Sequence, residues 1–175
     1  MPKQPMIKTN AIRLLEKQHI PYTVYTYPET VHSADEVAPL LGVPASQVFK
    51  TLVVFADEKR HLLVMAPGDR ELDMRLVARA VGAKAAHMAP QREAERLTGL
   101  KVGGISPLAL LEKRFEIYLD VRGAALEELY LNGGQRGVNV RLRVTDLLAV
   151  TGAQVIEATR APAAPEEEGD EYAGG

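Results

Sequence analysis

The chain has 175 residues, of which 46% are hydrophobic and 25% are charged, a balance typical of a soluble globular protein with one domain. It contains no cysteine, which excludes disulfides, thiolate zinc sites and a cysteine nucleophile. The net charge is −2, but five of the 23 acidic residues lie within residues 166–171. The rest of the chain has 18 acidic residues and 21 Lys and Arg residues, so it is mildly basic. It therefore tolerates a polyanionic partner without requiring one.

Residues 1–160 are predicted to form a single domain, and residues 161–175 a disordered acidic tail. The tail consists mainly of Pro, Ala, Glu and Gly, so it has almost nothing to bury. No apolar run reaches the roughly 18 residues of a membrane span, and the N-terminus lacks the apolar core of a signal peptide. We therefore expect a cytoplasmic protein that does not associate with a membrane.

Short helices and strands alternate in the first half of the chain. Ser33 and Glu36 form a capping box that opens a helix, which Gly42 closes. A polar turn at residues 57–60 joins two strands into a hairpin. In chain order the predicted elements are a helix over 8–18, a strand over 22–27, a helix over 33–42, and strands over 48–56 and 61–65.

The second half continues the alternation. Asp73 and Thr145 are predicted helix caps, and the alternation of apolar and polar residues over 138–142 predicts a strand with one solvent-facing side. Because several strand pairs are joined by tight turns, an α+β domain with a mixed sheet is favoured over a doubly wound parallel sheet. The predicted elements are helices over 73–82, 90–99 and 145–152, a helical turn over 124–128, and strands over 85–88, 115–120, 129–131, 138–142 and 155–156.

Lys50 interrupts a segment that otherwise has the composition of a buried strand. The other residues of 48–55 are β-branched, aromatic or aliphatic, as in a sheet interior. An ammonium group there is costly unless it is paired, solvated in a cleft or used in chemistry. The alternative is an edge-strand lysine that prevents aggregation, but the apolar neighbours on both faces favour a functional lysine.

A glycine-rich segment at residues 101–107 is the second candidate. The adjacent Gly103 and Gly104 let the backbone approach a ligand closely and direct N–H groups at it. The segment is not a Walker loop, because no Gly-Lys-Ser/Thr triplet follows it, and alone a turn ended by Pro107 explains it more simply. Together with Lys50, it indicates a site for an anion or a developing oxyanion.

Other patterns are weak by themselves. Residues 134–137 match the G-x-x-G loop with which KH domains clamp RNA, but a hairpin turn is the simpler explanation. Ser106 has no G-x-S-x-G context and no positioned base, so a hydrogen-bonding or turn role is predicted. The four histidines are scattered at spacings that do not suit a metal site.

Three segments occur in order at suitable spacing, and an N-terminal run and the strand ending at Tyr27 accompany them. The segments are VFKTL at 48–52, KVGGISP at 101–107 and NGGQRG at 132–137. Together they resemble the YbaK/EbsC family, which is related to the editing domain inserted in bacterial prolyl-tRNA synthetases. The resemblance spans residues 8–158 and implies a mixed β-sheet or barrel-like core with flanking short helices, no metal and no cofactor.

The resemblance also implies roles for individual residues. Lys50 is expected to be the essential lysine near the scissile ester, and Gly104, with Gly103, to hold the aminoacyl carbonyl. Tyr27 matches a pocket tyrosine of the family. The remaining expected substrate-binding residues are Ile105, Ser106, Pro107, Asn132, Gly133, Gly134, Arg136 and Asn139.

Two positions depart from the family pattern. Asn132 replaces a serine of the Ser-Gly-Gly-x-Arg-Gly motif, and Asn139 replaces an aspartate that follows it. Both keep hydrogen-bonding capacity, but Asn139 removes a carboxylate. These changes concern the choice of amino acid more than the reaction.

The implied activity is a trans-acting aminoacyl-tRNA deacylase for mischarged Cys-tRNA(Pro), with Cys-tRNA(Cys) as a further substrate. The implied partners are the aminoacyl-tRNA 3′ end and a prolyl-tRNA synthetase. The ester is already activated, so positioning and oxyanion stabilisation suffice; the enzyme is a hydrolase, or lyase-type if the substrate thiol attacks. The alternatives are a deacylase of the same fold for Ala or Ser, and a non-catalytic module that binds tRNA or a synthetase.

Overall fold

A computed structural model describes residues 7–31 and 33–163, so most of the predicted tail lies outside the described residues. Within these ranges the chain forms six α-helices and ten β-strands. The helices are α1 (Asn10–Lys17), α2 (Ala34–Leu41), α3 (Met74–Val81), α4 (Gln91–Thr98), α5 (Val121–Ala124) and α6 (Val144–Thr151), with 3₁₀ turns at Ala45–Gln47 and Pro107–Ala109. The strands are β1 (Thr23–Thr26), β2 (Val48–Ala56), β3 (Arg60–Pro67), β4 (Glu71–Leu72), β5 (Ala86–Met88), β6 (Glu116–Asp120), β7 (Glu128–Asn132), β8 (Val138–Arg143), β9 (Gln154–Ile156) and β10 (Thr159–Arg160).

Side-chain caps set the ends of the short helices. The Ser33 hydroxyl accepts a hydrogen bond of 3.3 Å from the Glu36 N–H at the start of α2, and Gly42 ends the helix in the left-handed conformation, as predicted. Asp73 caps α3 by accepting from two N–H groups of the first turn, which confirms that prediction. Of the helices described, none has the length and apolar character needed to cross a membrane.

Strand β2 lies inside a mixed sheet with the order β1-β8-β7-β2-β3-β6-β9, and β5 also pairs with β2. It pairs antiparallel with β3 from Phe49 to Ala56 and parallel with β7 at its start. The β3·β6 and β6·β9 pairs are also parallel, whereas β1·β8 and β7·β8 are antiparallel. The predicted mixed sheet with flanking short helices is confirmed, and Lys50 lies in an interior strand.

The second side of β2 is paired at both ends and open in the middle. There β7 pairs with residues 48–49 and β5 with residues 54–56, while the Ala89 N–H donates to the Val53 carbonyl. Successive residues of a strand direct their N–H and C=O groups to opposite edges. The backbone groups of Thr51 therefore point into the interval between β7 and β5.

Hydrophobic clusters cover both faces of β2. Neighbouring residues of a strand point to opposite faces, so Phe49 packs with Leu15 of α1, and Val48 packs with Val37 of α2. Lys50 has the same parity as Val48 and lies on the α2 face. Packing of α2 therefore places a helix start beside the lysine side chain.

Two predicted helix starts are wrong. The helical turn expected at residues 124–128 is α5, which begins directly after Asp120, and the Asp120 carboxylate accepts a hydrogen bond from the first turn. The expected Thr145 cap is also wrong, because α6 begins at Val144 and Arg143 occupies the cap position without a side-chain hydrogen bond. In both cases the preceding strand continues directly into the helix, so each helix starts earlier than predicted.

The predicted solvent-facing side of β8 is wrong at Asn139, which is only 3% exposed. Strand β8 lies between β1 and β7, and Asn139 pairs with Tyr25 on one side and Asn132 on the other. Arg143 at the far end of the strand is exposed. The polar residues of β8 therefore divide between a buried amide and a solvent-exposed guanidinium.

Replacing Gly137 with Ala tests the close approach of the β7–β8 turn to the residue after β1. Gly137 has a φ of +84°, and an added Cβ would lie 2.6 Å from the Tyr27 carbonyl oxygen, whereas Gly82 has a φ of +73° with nothing within 4 Å. Left-handed backbone strain of about 1–2 kcal/mol is common to Gly137→Ala and Gly82→Ala, and only the first adds a steric clash. Urea denaturation should show Gly137→Ala to be the more destabilised by at least about 1 kcal/mol. Equal losses would contradict the tight approach.

Candidate functional site

A cavity of about 310 Å³ lies where the middle of β2 is unpaired. Its wall combines β2, the start of α2, the loop after α4 and the ends of β7 and β8. Apolar residues form much of the wall, and in such surroundings electrostatic interactions are stronger than in water. The polar residues on the wall are Tyr27, Ser33, Asp35, Lys50, Thr51, Asn132 and Asn139.

Lys50 is half-buried in this wall. Its Nζ donates a hydrogen bond of 2.8 Å to the backbone carbonyl of Arg70. Burial lowers the pKa of Lys50, and the carboxylates of Asp35, Glu71 and Asp69 oppose that effect. The hydrogen-bond acceptor of the ammonium group is thus a neutral carbonyl and not a carboxylate.

Tyr27 follows β1 and lies beside Asn139. Its N–H donates to the Gly137 carbonyl at 3.0 Å, which holds the residue against the β7–β8 turn. Burial raises the pKa of Tyr27, and hydrogen bonding with the Asn139 amide opposes the shift. The phenol is therefore neutral near pH 7 and can donate a hydrogen bond into the cavity.

Two buried polar atoms of the wall lack partners. Among the described residues, the Thr51 Oγ1 and Asn139 Oδ1 atoms form no hydrogen bond, and both residues line the cavity. Buried polar groups are normally paired, and leaving one unpaired costs about 1–3 kcal/mol. Asn139 can therefore accept a hydrogen bond from a ligand in the cavity, whereas Thr51, next to Lys50 in β2, directs its side chain to the opposite face of the strand.

The glycine-rich loop contributes main chain to the wall. Gly103 lines the cavity and has a φ of +91°, a conformation that favours glycine. The Gly104 N–H donates to the Lys101 carbonyl at 2.7 Å, so that donor is already used within the loop. An added Cβ on Gly104 would lie 2.9 Å from the Arg136 backbone nitrogen, so glycine lets this loop contact the β7–β8 turn.

Asn132 and Arg136 join the same two loops through hydrogen bonds. The Asn132 Nδ2 donates to the Gly103 carbonyl at 2.6 Å, and its Oδ1 accepts from the Gly134 N–H at 2.6 Å. The Arg136 Nε donates to the Val102 carbonyl at 2.7 Å. These contacts fix the position of the Gly103 main chain relative to the β7–β8 turn.

The structure brings together six of the twelve residues predicted for the site. Those that line the cavity are Tyr27, Lys50, Gly103, Ile105, Asn132 and Asn139. The others are not among the lining residues, and they are Gly104, Ser106, Pro107, Gly133, Gly134 and Arg136. Ser106 is fully buried and its hydroxyl accepts from the Leu108 N–H at 3.2 Å, so it caps a 3₁₀ turn.

Sequence reasoning missed Thr51 and Asp35. Thr51 could have been found from the sequence, because it is a second polar residue, next to Lys50, in an apolar strand. Burying its hydroxyl has a desolvation cost, as it does for other polar groups. Asp35 follows the Ser33 cap of α2, and its place near the lysine depends on how α2 packs. That packing is a tertiary feature without a local sequence signal.

The described residues contain no group of three or more His, Cys, Asp or Glu side chains that could hold a metal ion. His61 and His87 instead pack on Phe55, with ring centroids 5.1 Å and 5.6 Å from it. His19 has a φ of +58° after the end of α1, and His32 lies outside the described residues.

Comparison with known proteins identifies related sequences. Residues 28–150 match the family model described as the aminoacyl-tRNA editing domain. EbsC of Enterococcus faecalis, by name a candidate Cys-tRNA(Pro)/Cys-tRNA(Cys) deacylase, is 33% identical over 159 residues, which are 90% of this chain and 96% of EbsC. A proline–tRNA ligase of Shouchella clausii is 29% identical over 137 residues, so the chain matches 78% of its own length but only 22% of the ligase.

Solved structures share the fold. A crystal structure described as a candidate trans-editing enzyme for prolyl-tRNA synthetase has a TM-score of 0.73 and 28% identity, covering 89% of this chain and 99% of that one. A second crystal structure, of the hypothetical protein APE2540, has a TM-score of 0.80 over 86% of this chain and 99% of that one. Its identity of 24% supports the fold alone.

Replacing Lys50 with Met should leave the melting temperature unchanged or raise it. The substitution removes a half-buried charge whose desolvation opposes folding, and stability gained at a functional position is a common trade-off. Lys59→Met makes the same change in the exposed β2–β3 turn and serves as the control, with no effect expected. Thermal unfolding that shows a loss of more than about 1 kcal/mol for Lys50→Met would mean that Lys50 is a stabilising residue.

Proposed function

This chain belongs to the family of aminoacyl-tRNA editing domains, and on that premise we propose that it hydrolyses mischarged Cys-tRNA(Pro) in trans. Cys-tRNA(Cys) is the second substrate to be considered, in line with the name of the EbsC relative. The proposed setting is the cytoplasm, with a prolyl-tRNA synthetase as the partner that presents the tRNA. Editing is needed because binding discriminates one methylene by only about 1–3 kcal/mol.

One observation carries this proposal: a single cavity combines the Lys50 ammonium group, the main chain of Gly103 and Asn139, whose Oδ1 atom is unpaired. Attack on an ester carbonyl places negative charge on the carbonyl oxygen, and a fixed cation and backbone N–H groups stabilise that charge. The ester of an aminoacyl-tRNA is already activated, so the enzyme has mainly to position it. The presence of Lys50 and the Gly103 main chain on the same wall supports this role.

Neither a cysteine nor Ser106 is available as the attacking group. The chain has no cysteine, and Ser106 is fully buried in a 3₁₀ cap. We propose that the thiol of the substrate cysteine attacks its own carbonyl carbon. The ester C–O bond then breaks, the tRNA oxygen leaves with a proton, and water opens the resulting thioester.

The size of the cavity bears on selectivity. A volume of about 310 Å³ is larger than a cysteine side chain, so the cavity has room for the aminoacyl group and part of the terminal ribose. Steric exclusion therefore does not reject Ala or Ser, which are no larger than Cys. We attribute the preference to the thiol, which is partly ionised near neutral pH, whereas a hydroxyl is not.

The second candidate is a module that binds tRNA or a synthetase without turnover, or a deacylase of the same fold for Ala or Ser. Asn139 is the observation that keeps these open, because it places a neutral amide with an unpaired oxygen on the wall. A neutral amide cannot accept a proton from a nucleophile as a carboxylate can. Tight tRNA binding without deacylation of any ester would favour the module.

Lys50→Ala should lower the deacylation rate of Cys-tRNA(Pro) by about 10²–10³, the usual cost of removing an oxyanion-stabilising group. Lys59→Ala removes the same charge from the exposed end of the hairpin and should retain the wild-type rate. Single-turnover assays with each variant in excess over labelled Cys-tRNA(Pro) measure the effect, and separate tRNA-binding titrations exclude a loss of affinity. An undiminished rate for Lys50→Ala would remove Lys50 from the mechanism.

A panel of Cys-, Ser- and Ala-tRNA(Pro) with Cys-tRNA(Cys) tests the substrate. If the substrate thiol attacks, Ser-tRNA(Pro) should react at least about tenfold more slowly than Cys-tRNA(Pro), because serine lacks an ionisable nucleophile. The two cysteinyl esters separate recognition of the amino acid from recognition of the tRNA. Equal rates for the Ser and Cys esters would overturn the thiol mechanism and leave water as the nucleophile.

A further inference from the structure

We propose that the segment of residues 158–160 positions the Lys50 side chain, because Arg70 donates to Thr159 and Asp120 in turn holds Thr159. This inference rests on the proposed function only in assigning Lys50 to the reaction. Thr159, Asp120 and Arg70 do not line the cavity. They are therefore positioning residues, and none of them is a catalytic residue.

The chain of contacts starts at the ammonium group. Lys50 Nζ donates to the Arg70 carbonyl at 2.8 Å, and the guanidinium of the same arginine reaches in the other direction. Arg70 Nε donates to Thr159 Oγ1 at 2.8 Å, and Nη2 donates to the Thr159 carbonyl at 3.4 Å. Thr159 is 2% exposed, so its hydroxyl has a fixed environment.

Asp120 anchors Thr159 from the interior. Its side chain is fully buried, and its Oδ1 accepts from the Thr159 hydroxyl at 3.2 Å and from the Ala158 N–H at 2.9 Å. Its Oδ2 accepts from the Arg122 N–H at 3.2 Å. A carboxylate this deeply buried is tolerated only when it is paired and hydrogen-bonded, so these contacts define one geometry for the segment.

The main chain holds the same arrangement. Strand β10 pairs with β4 through Thr159 and Leu72, and the Asp73 N–H donates to the Ala158 carbonyl at 2.8 Å. At the other end of the loop, the Gly68 N–H donates to the Val48 carbonyl at 2.8 Å. The Arg70 carbonyl therefore lies in a short loop that is fixed on both sides.

A lysine side chain needs such an acceptor to hold its ammonium group in one position. Its side chain carries about 2 kcal/mol of rotamer entropy, and a misplacement of about 1 Å can reduce a rate by about 10²-fold. A merely structural role for Thr159 predicts loss of stability without a specific change in the chemical step. The two roles differ in which kinetic constant changes.

The test compares Thr159→Val, which removes the hydroxyl at nearly constant shape, with Thr159→Ser, which retains it. Thr151→Val is the matched control, because the Thr151 hydroxyl donates to the Leu147 carbonyl at 2.7 Å at the end of α6, outside the cavity wall. Circular dichroism establishes an assay temperature at which every variant is folded. Deacylation of Cys-tRNA(Pro) then gives kcat and KM for each.

We expect Thr159→Val to lower kcat by about tenfold with KM unchanged, because a displaced ammonium group stabilises the transition state less well. A tenfold change in rate corresponds to about 1.4 kcal/mol in the activation barrier. Thr159→Ser should stay within about twofold of wild type, and Thr151→Val should match wild type, because the hydroxyl contacts to Arg70 and Asp120 are intact in both. Arg70→Met removes both guanidinium contacts but keeps the Arg70 carbonyl. It should reproduce the fall in kcat and carries the test if Thr159→Val does not fold.

Several results would overturn the inference: a wild-type kcat for Thr159→Val or Arg70→Met, an equal loss for Thr159→Ser, a change confined to KM, or an equal loss for Thr151→Val. Lys50→Ala in the same assay separates this inference from the proposed function. If Lys50→Ala is inactive while Thr159→Val is not impaired, only the positioning role fails. If Lys50→Ala is fully active, the assignment of Lys50 to the reaction fails.

Discussion

The desolvation of one ammonium group is the constraint on which the rest of the site depends. Lys50 lies in an interior strand of the sheet, where moving a charge out of water costs several kcal/mol before compensation. The compensation is a hydrogen bond to the neutral carbonyl of Arg70 and three nearby carboxylates. Such a charge interacts most favourably with a substrate that becomes more negative as it reacts.

The wall facing this lysine is made of two loops that are distant in sequence. Gly103 belongs to the loop after α4, and Asn132 and Arg136 belong to the β7–β8 turn. Two short side-chain hydrogen bonds and the absence of a Cβ at Gly104 hold them together. In the proposed reaction the motif residues would therefore act mainly by fixing a backbone conformation, which requires no reorganisation during the reaction.

Local signals predicted what local forces determine. The Ser33 cap, the Gly42 end of α2 and the strand at 48–56 depend on neighbouring residues, and they were found from the sequence. The family resemblance located six wall residues. The wrong starts of α5 and α6 arose where strands continue directly into helices, and the misjudged burial of Asn139 arose because its side chain belongs to the cavity wall, which forms only in the folded chain.

Long-range contacts gave no such signal. Thr159 is separated from Arg70 by 89 residues and from Asp120 by 39, and each looks like an ordinary surface residue in its own segment. A sequence pattern reports what a residue prefers, whereas these contacts depend on the order of strands in space. Their detection required coordinates.

The parallel pairing of β2 with β7 and the pairing of β4 with β10 have a consequence for synthesis of the protein. Val48 pairs with Tyr130, and Leu72 pairs with Thr159. Neither pair can form until the later partner has been synthesised and has left the ribosome. Contacts of such large sequence separation also form slowly. A nascent chain that stops before β10 therefore contains every residue of the cavity wall but lacks the hydrogen bonds between Arg70 and Thr159.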